Sequence, residues 1–196
     1  MSFYPFNPNL GQRIQGEGPR VAPYDLGFVG HYQITPDAVS AVAVLAATAL
    51  TDAVQTITAG ITHPDYPRTV TVKGNAAGIA GDVVITGTNA AGAVITDTIA
   101  LNGATEVEGI KAFKTVTSVA LPVETNTGTD TVSVGIGKKF GMPAILYNAA
   151  CLLVKLFNGA ADTGSLTVDG DELEKNLFAL NGAPDGVKVL DLFFIV

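Results

Sequence analysis

The residues best suited to acid–base chemistry in this 196-residue chain are its two histidines, His31 and His63. An imidazole serves as a general base at neutral pH only when a nucleophile or a metal lies within hydrogen-bond reach. Both histidines lie beside turn residues, without the HxH or HExxH spacing of a metal site, and no serine stands in a G-x-S-x-G setting. We therefore predict a surface or capping role for His31 and His63, no catalytic residue and no metal ligand.

Carboxylates are the next candidates for chemistry. The densest cluster is Asp169–Glu174, which is similar to a calcium loop but lacks the glutamate that such a loop places at its twelfth position. We predict a solvated turn there. Glu106 and Glu108 could act as a glycosidase pair, but residues two apart on a strand share one face, and no apolar pocket is evident that would raise the pKa of either.

A glycine-rich segment and a single thiol complete the search. Gly135–Lys139 (GIGKK) has the residue types of a phosphate loop but not the Walker spacing, so we predict the exit of a strand. Cys151 is the only cysteine, which excludes an intrachain disulfide and a cysteine-based zinc site. Its apolar neighbours predict a core strand with an inert buried thiol. No cofactor and no small-molecule substrate are predicted.

Composition narrows the range of partners. The net charge is −7, and the 11 lysines and arginines are scattered, which argues against binding to a nucleic-acid backbone. Charged residues make up 15% of the chain, against about 25% in an ordinary soluble domain. A surface so poor in charge indicates that other protein covers part of it.

The first 35 residues are rich in proline, glycine and aromatic residues, which excludes a continuous helix or a central strand. We predict an extended arm that contacts another chain, with wrapping onto its own domain as the alternative. The final segment, Val187–Val196, is apolar on both faces except at Asp191, as in a strand at the centre of a sheet or in an interface. The predicted interface residues are Phe3, Tyr4, Phe6, Tyr24, Phe28, Tyr32, Phe193 and Phe194.

Targeting and membrane signals are not expected. The N-terminal residues lack a basic region followed by an apolar region, so they do not predict a secretory signal. Ala38–Leu50 is apolar but shorter than the about 20 residues that span a bilayer. Its alanines after Asp37 predict one short helix, while Val39, Val42 and Val44 leave a strand or loop open.

The rest of the chain alternates short β-favouring runs with turns. In Pro67–Leu101 the tetrapeptide Asn-Ala-Ala-Gly occurs twice, at Asn75–Gly78 and Asn89–Gly92, and each copy predicts a turn. This pattern predicts an all-β fold, an antiparallel β-sandwich (Ig-like or jelly-roll-like) with at most one or two short helices. We place an N-terminal arm and short apolar segment at 1–50 and the sandwich domain at 51–196. The predicted strands are 54–58, 69–73, 82–88, 93–101, 112–121, 131–136, 145–157, 165–168, 177–180 and 187–196.

Several segments together resemble a family of tailed-phage and prophage virion proteins, over roughly residues 50–196. The segments that carry the resemblance are Gln55–Asp65 with Pro67 and Arg68, Val84–Asn89, Lys111–Val116, Gly135–Gly137, Lys139–Pro143, and Glu174–Asn176 through Leu180, Asn181, Asp185 and Gly186 to the closing apolar strand. The resemblance implies a β-sandwich virion component without catalysis.

The role implied by this resemblance is capsid decoration, also called cement, on the surface of the virion. The partners would be the major capsid protein and sister copies, with a homo-oligomer and in particular a trimer as the expected assembly. A neck, tail or head-fibre accessory protein is the structural alternative. A carbohydrate-binding module or an adhesin is the alternative of another class, although the chain has no Trp to form a sugar platform.

Overall fold

A computed structural model describes residues 28–196 except Thr127, together with two short strands, β1 (Arg13–Ile14) and β2 (Tyr24–Asp25), which pair antiparallel. The described residues are almost entirely β-structure, in antiparallel sheets that pack together, and this confirms the predicted all-β class. Their helical structure consists of two 3-10 turns, Ala149–Cys151 and Leu173–Lys175. Neither turn is long or apolar enough to cross a membrane.

Two sheets form a sandwich around the larger hydrophobic core. The first sheet has the order β5 (Gln55–Ile57), β10 (Thr115–Leu121), β7 (Asp82–Thr88) and β8 (Val94–Ala100). The second has the order β14 (Ser165–Thr167), β15 (Leu177–Ala179), β11 (Thr131–Gly141), β6 (Arg68–Gly74) and β9 (Val107–Phe113), and β4 (Ser40–Ala49) also pairs with β11. Alternating Val, Ile and Leu side chains from both sheets fill the space between them.

A third sheet packs beside this sandwich. Its order is β13 (Ala160–Ala161), β12 (Leu152–Phe157), β16 (Leu190–Ile195) and β3 (Val29–Ile34). A second hydrophobic core lies beneath it, built around Phe140, Phe178, Leu192 and Phe194. Phe140 belongs to β11, whose earlier residues enter the first core, so one strand is shared by both cores.

The strand β4 corrects the predicted helix at Ala38–Leu50. The segment is extended and pairs with the N-terminal half of β11, and Val44 and Leu45 enter the first core. The physical reason is tertiary: pairing with β11 and burial of β-branched side chains outweigh the helix propensity of alanine. The predicted boundary at residue 50 falls directly after β4, a strand hydrogen-bonded to the later part of the chain.

Several predicted strands differ from the observed ones in length. The predicted strand 112–121 is two strands, because the chain passes at Lys114 from β9 in the second sheet to β10 in the first. The Gly135–Lys139 segment is the interior of β11 and not a strand exit. Cys151 closes a 3-10 turn before β12 and is half-buried, so the prediction of a core strand and a buried thiol was wrong there.

The two Asn-Ala-Ala-Gly copies have different roles. Asn89–Gly92 is the hairpin turn between β7 and β8: Asn89 Oδ1 accepts hydrogen bonds from the N–H groups of Ala91 and Ala93, and Gly92 has a φ of 86°. Asn75 lies after β6, where the chain leaves the second sheet. Its side chain bonds the backbone of Thr129 and Thr131 across the sandwich end.

Candidate interaction surface

The third sheet exposes an apolar face on the side opposite the second core. Since side chains alternate along a strand, Val29 and His31 of β3 share this side with Phe193 and Ile195 of β16, and Val154 of β12 lies opposite Phe193. We call these five residues the outer face. Val29 is 64%, Val154 41% and Ile195 39% exposed.

Phe193 and His31 form the centre of the outer face. Their rings stack with centroids 4.2 Å apart and an interplanar angle of 3°. His31 Nε2 lies 2.9 Å from Asp191 Oδ1, and Gln33 Nε2 donates to the same oxygen at 2.8 Å. The outer face therefore has a polar end at Asp191 and an apolar end at Val29 and Ile195, and His31 lies at the surface as predicted.

The last residues of the chain expose further apolar side chains at this end of the third sheet, on the side of Tyr32 and Phe194 and not on the outer face. Phe28 and Val196 exchange two backbone hydrogen bonds, of 3.1 and 3.0 Å, and both side chains are about half exposed. Leu153, in the bulge of β12, is also exposed. Contiguous exposed apolar residues on a rigid sheet are typical of a surface that binds another protein.

The predicted interface residues fall into three groups. Phe3, Tyr4 and Phe6 lie outside the described residues, and only the backbone of Tyr24 is described, in β2. The remaining four come together in β3, β16 and the residue before β3, but on different sides. These four are Phe28, Tyr32, Phe193 and Phe194.

Tyr32 and Phe194 point into the second core, whereas Phe193 belongs to the outer face. Phe194 is 4% exposed, because β16 has a buried side and a half-exposed side. The predicted central position of this strand is confirmed, since β16 lies between β12 and β3, but its second side is half-exposed and not buried as predicted. Burial raises the pKa of the Tyr32 hydroxyl to about 12, with smaller contributions from Tyr66 and Asp65.

Sequence reasoning missed the aliphatic residues Val29, Val154 and Ile195. Valine and isoleucine in a strand have the same local pattern whether they face a core or solvent, so no sequence signal separates the two cases. The apolar runs 145–157 and Val187–Val196 were the available indications, and they identified the strands but not the side that is exposed.

His63 has a capping role. Its Nδ1 accepts a hydrogen bond of 3.3 Å from the backbone N–H of Val116, beside an irregularity in the pairing of β10 with β7. The imidazole thus satisfies a backbone N–H group that the strand pairing leaves without an acceptor. The geometry thus gives His63 a structural task at the edge of the first core.

The acidic cluster Asp169–Glu174 is more ordered than a solvated turn. Asp169 Oδ1 accepts hydrogen bonds from the N–H groups of Asp171 and Glu172, and these bonds lower the pKa of Asp169. Glu174 is buried. Its burial opposes ionisation, but the hydrogen bond from Asn89 (3.0 Å) and the nearby Lys111 outweigh that effect and lower its pKa.

The cluster also borders a cavity with a volume of about 480 Å³. Val94, Pro143 and Leu173 give this cavity apolar walls, and Asn89 and Glu174 also line it. Because Asn89 and Lys111 already bind Glu174, its carboxylate is engaged within the protein.

Glu106 and Glu108 line a smaller cavity of about 260 Å³, together with Val39 and Ile136. The lining of this cavity is mixed, since it also includes Thr71 and Lys138. Glu108 is held by the hydroxyl of Thr69 at 2.5 Å and by Lys139 Nζ at 3.3 Å. These contacts engage the Glu108 carboxylate within the protein.

Across residues 28–196, leaving aside Thr127, no group of three or more His, Cys, Asp or Glu side chains is arranged to hold a metal ion. Comparison with protein-family models, with curated proteins and with solved structures yields no match for this chain. The outer face of the third sheet is the surface that the described residues offer most clearly to a partner.

Proposed function

We propose that the chain is a non-enzymatic structural protein of a virion, and specifically a capsid decoration protein that binds the capsid surface and neighbouring copies of itself. The observation that carries this proposal is the outer face, an apolar surface displayed by a sheet that is itself packed on a core. The resemblance of residues 50–196 to tailed-phage virion proteins supports the choice of a capsid as the partner. Copies on the shell would bind the major capsid protein through this face.

The chemistry of the outer face suits protein and not nucleic acid. Three of its exposed members, Val29, Val154 and Ile195, are aliphatic, its polar end has His31 beside the carboxylate of Asp191, and the whole chain has a net charge of −7. An apolar centre with a polar rim is the usual anatomy of a protein interface. A phosphate backbone would instead need clustered lysine and arginine.

Binding to capsids that lack this protein tests the proposal. We expect the purified protein to sediment with such capsids in hundreds of copies, whereas a handful of copies would indicate a neck, tail or fibre position. Val154→Glu places an unpaired charge in the outer face and is expected to weaken binding by about tenfold or more. Binding to glycans without binding to capsids would contradict the proposal.

Val94→Glu is the matched control for this experiment. Val94 is an exposed valine of β8, the edge strand of the first sheet, and is 76% exposed. The same substitution there changes the net charge equally but leaves the outer face intact. Equal losses with Val154→Glu and Val94→Glu would show that charge, and not the outer face, controls binding.

A further inference from the structure

The strand β3 lies at the end of the third sheet, and one of its two edges faces away from the sheet. Phe28 and Val196 exchange both backbone hydrogen bonds, and the register with β16 then continues without a break from Val29 to Ile34. In an antiparallel pair, hydrogen-bonded residues alternate with residues whose backbone groups point the other way. The N–H and C=O groups of Val29, His31 and Gln33 therefore point to the outer edge.

Among the described residues, this edge lacks the features with which proteins usually protect an edge strand. Those features are lysines, prolines, bulges or a covering loop. The sequence of β3, VGHYQI, contains no lysine and no proline, and its pairing with β16 has no register shift. Within the part of the chain that the structure describes, no hydrogen bond reaches the outward backbone groups of Val29, His31 or Gln33.

We propose that the β3 strands of two copies pair antiparallel at this edge, across a two-fold axis at His31, so that two third sheets form one continuous sheet. His31 then lies opposite His31 of the second copy, and Val29 opposite Gln33 of the second copy. These pairs use all the outward N–H and C=O groups of the three residues. A two-fold contact of this kind is closed, because both copies use the same surface.

Side-chain complementarity selects this register. Gly30 lies opposite Tyr32 of the second copy, and a bulky aromatic beside a glycine is a favourable cross-strand neighbour. The Phe194 ring already covers Gly30 within one copy, since a Cβ there would lie 2.6 Å from Phe194 Cζ, so the second tyrosine would meet this ring. The exposed Phe28 lies opposite Ile34 of the second copy.

Charge and chain direction favour a second copy as the occupant. β3 contains no Asp, Glu, Lys or Arg, so two chains with a net charge of −7 each meet at an uncharged strand. The 27 residues that precede Phe28 join β3 at one end of this edge. Because the pairing is antiparallel, this end of β3 lies beside Ile34 of the second copy.

This inference does not depend on capsid binding, so its test uses the purified full chain alone. All variants are made in a Cys151→Ser background, which removes the native thiol. His31→Cys is expected to form an intermolecular disulfide on mild oxidation, because the two Cα atoms of a hydrogen-bonded pair lie about 5.5 Å apart. Gln33→Cys is the matched control on the same exposed side of β3, since its two copies are separated by about 14 Å in this register.

A second pair of variants tests the register itself. Mixed Val29→Cys and Gln33→Cys chains are expected to give a heterodisulfide between the two kinds of chain. His31→Pro removes an outward N–H but no bond to β16, as proline allows on an edge strand. We expect His31→Pro to be monomeric in sedimentation, with the circular dichroism spectrum of the parent.

The parent protein is expected to be dimeric in the same sedimentation experiment. A monomeric parent would overturn the proposal, as would a Gln33→Cys disulfide that forms as readily as the His31→Cys disulfide. A His31→Pro variant that folds and stays dimeric would also overturn it. Failure of capsid binding by a dimeric protein would leave the edge pairing intact and count only against the proposed function.

Discussion

Nη1 of Arg68 lies 3.0 Å from Oδ1 of Asp65, and the arginine side chain is completely buried. The guanidinium also donates to the carbonyl oxygens of Asp37, at 3.1 Å, and Gly137, at 2.8 Å from Nε, and its carbon lies 4.7 Å from the centroid of the Phe140 ring. The planar guanidinium of arginine has five N–H donors in a fixed arrangement. It therefore suits a position with several acceptors better than the ammonium group of lysine does. One side chain thus joins the β3–β4 connection to β6 and β11.

Replacing Arg68 is expected to destabilise the protein severely. Arg68→Ala leaves the Asp65 carboxylate and the Gly137 carbonyl without their partner, and loss of one member of a buried pair costs about 3–5 kcal/mol. Arg68→Lys keeps the charge but loses the fork, so we expect a smaller loss. Urea unfolding measures both values.

Lys188→Ala is the control for the Arg68 variants. It removes one positive charge from a half-exposed pair with Asp185, and solvent screens such surface pairs, so we expect only a small change in stability. If Arg68→Ala lowered the free energy of unfolding by no more than Lys188→Ala, the buried network would not be a stabilising element.

Two glycines of β11 are expected to differ in their tolerance of a methyl group. A Cβ at Gly135 would lie 2.1 Å from the Ser40 carbonyl oxygen and 2.5 Å from Ala41 Cα, which are backbone atoms of β4. A Cβ at Gly137 would meet the end of the Glu108 side chain, at 2.1 Å, and a side chain can move. We expect Gly135→Ala to cost about 1–3 kcal/mol or more and Gly137→Ala to cost less, by urea unfolding. If Gly137→Ala cost more stability than Gly135→Ala, the backbone of β4 would not lie against Gly135.

The two asparagines of the repeated tetrapeptide are expected to differ in importance. Asn89 is buried, caps the β7–β8 turn and donates to Glu174. Asn75 makes two backbone hydrogen bonds at an exposed position. Asn89→Ala should cost about 2–3 kcal/mol, since it leaves buried groups unpaired, and Asn75→Ala about 1 kcal/mol. Equal losses in thermal or urea unfolding would contradict the different roles.

Stability is expected to fall in acid. The backbone N–H of Lys188, with the Lys188 side chain and the N–H of Val187, lowers the pKa of Asp185 to about 2 from 3.8. Hydrogen bonds from Asn126 lower the pKa of Asp130, and those from Asp171 and Glu172 lower the pKa of Asp169. A carboxyl group whose folded pKa is lowered contributes stability above its unfolded pKa and loses it as the pH falls through the folded value.

The free energy of unfolding should therefore decline between about pH 4 and pH 2, as measured by urea unfolding over this range. Asp185→Asn is expected to be less stable than the parent at neutral pH and to lose less on acidification. A parent whose stability is unchanged from pH 4 to pH 2 would contradict this prediction.

Local patterns were sufficient for the fold class and for most strands. Alternation along Val94–Ala100, where every second side chain is buried, is a property of the residues themselves, and so is the turn preference of Asn89 and Gly92. Both patterns involve residues that are close together in the chain, so they can be recognised in the sequence. The same signals could not place strands in sheets, because pairing partners such as β3 and β16 lie far apart in the chain.

The residue order alone thus established an all-β chain with an aromatic N-terminal segment and an apolar closing strand. Only the tertiary structure decided that Ala38–Leu50 is a strand, that Arg68 is buried, and which side of β16 is exposed. The reason is that burial and hydrogen-bond pairing depend on residues distant in the chain. At Ser40–Ala49, hydrogen-bond pairing with the edge of β11 outweighed the local preference of alanine for helix.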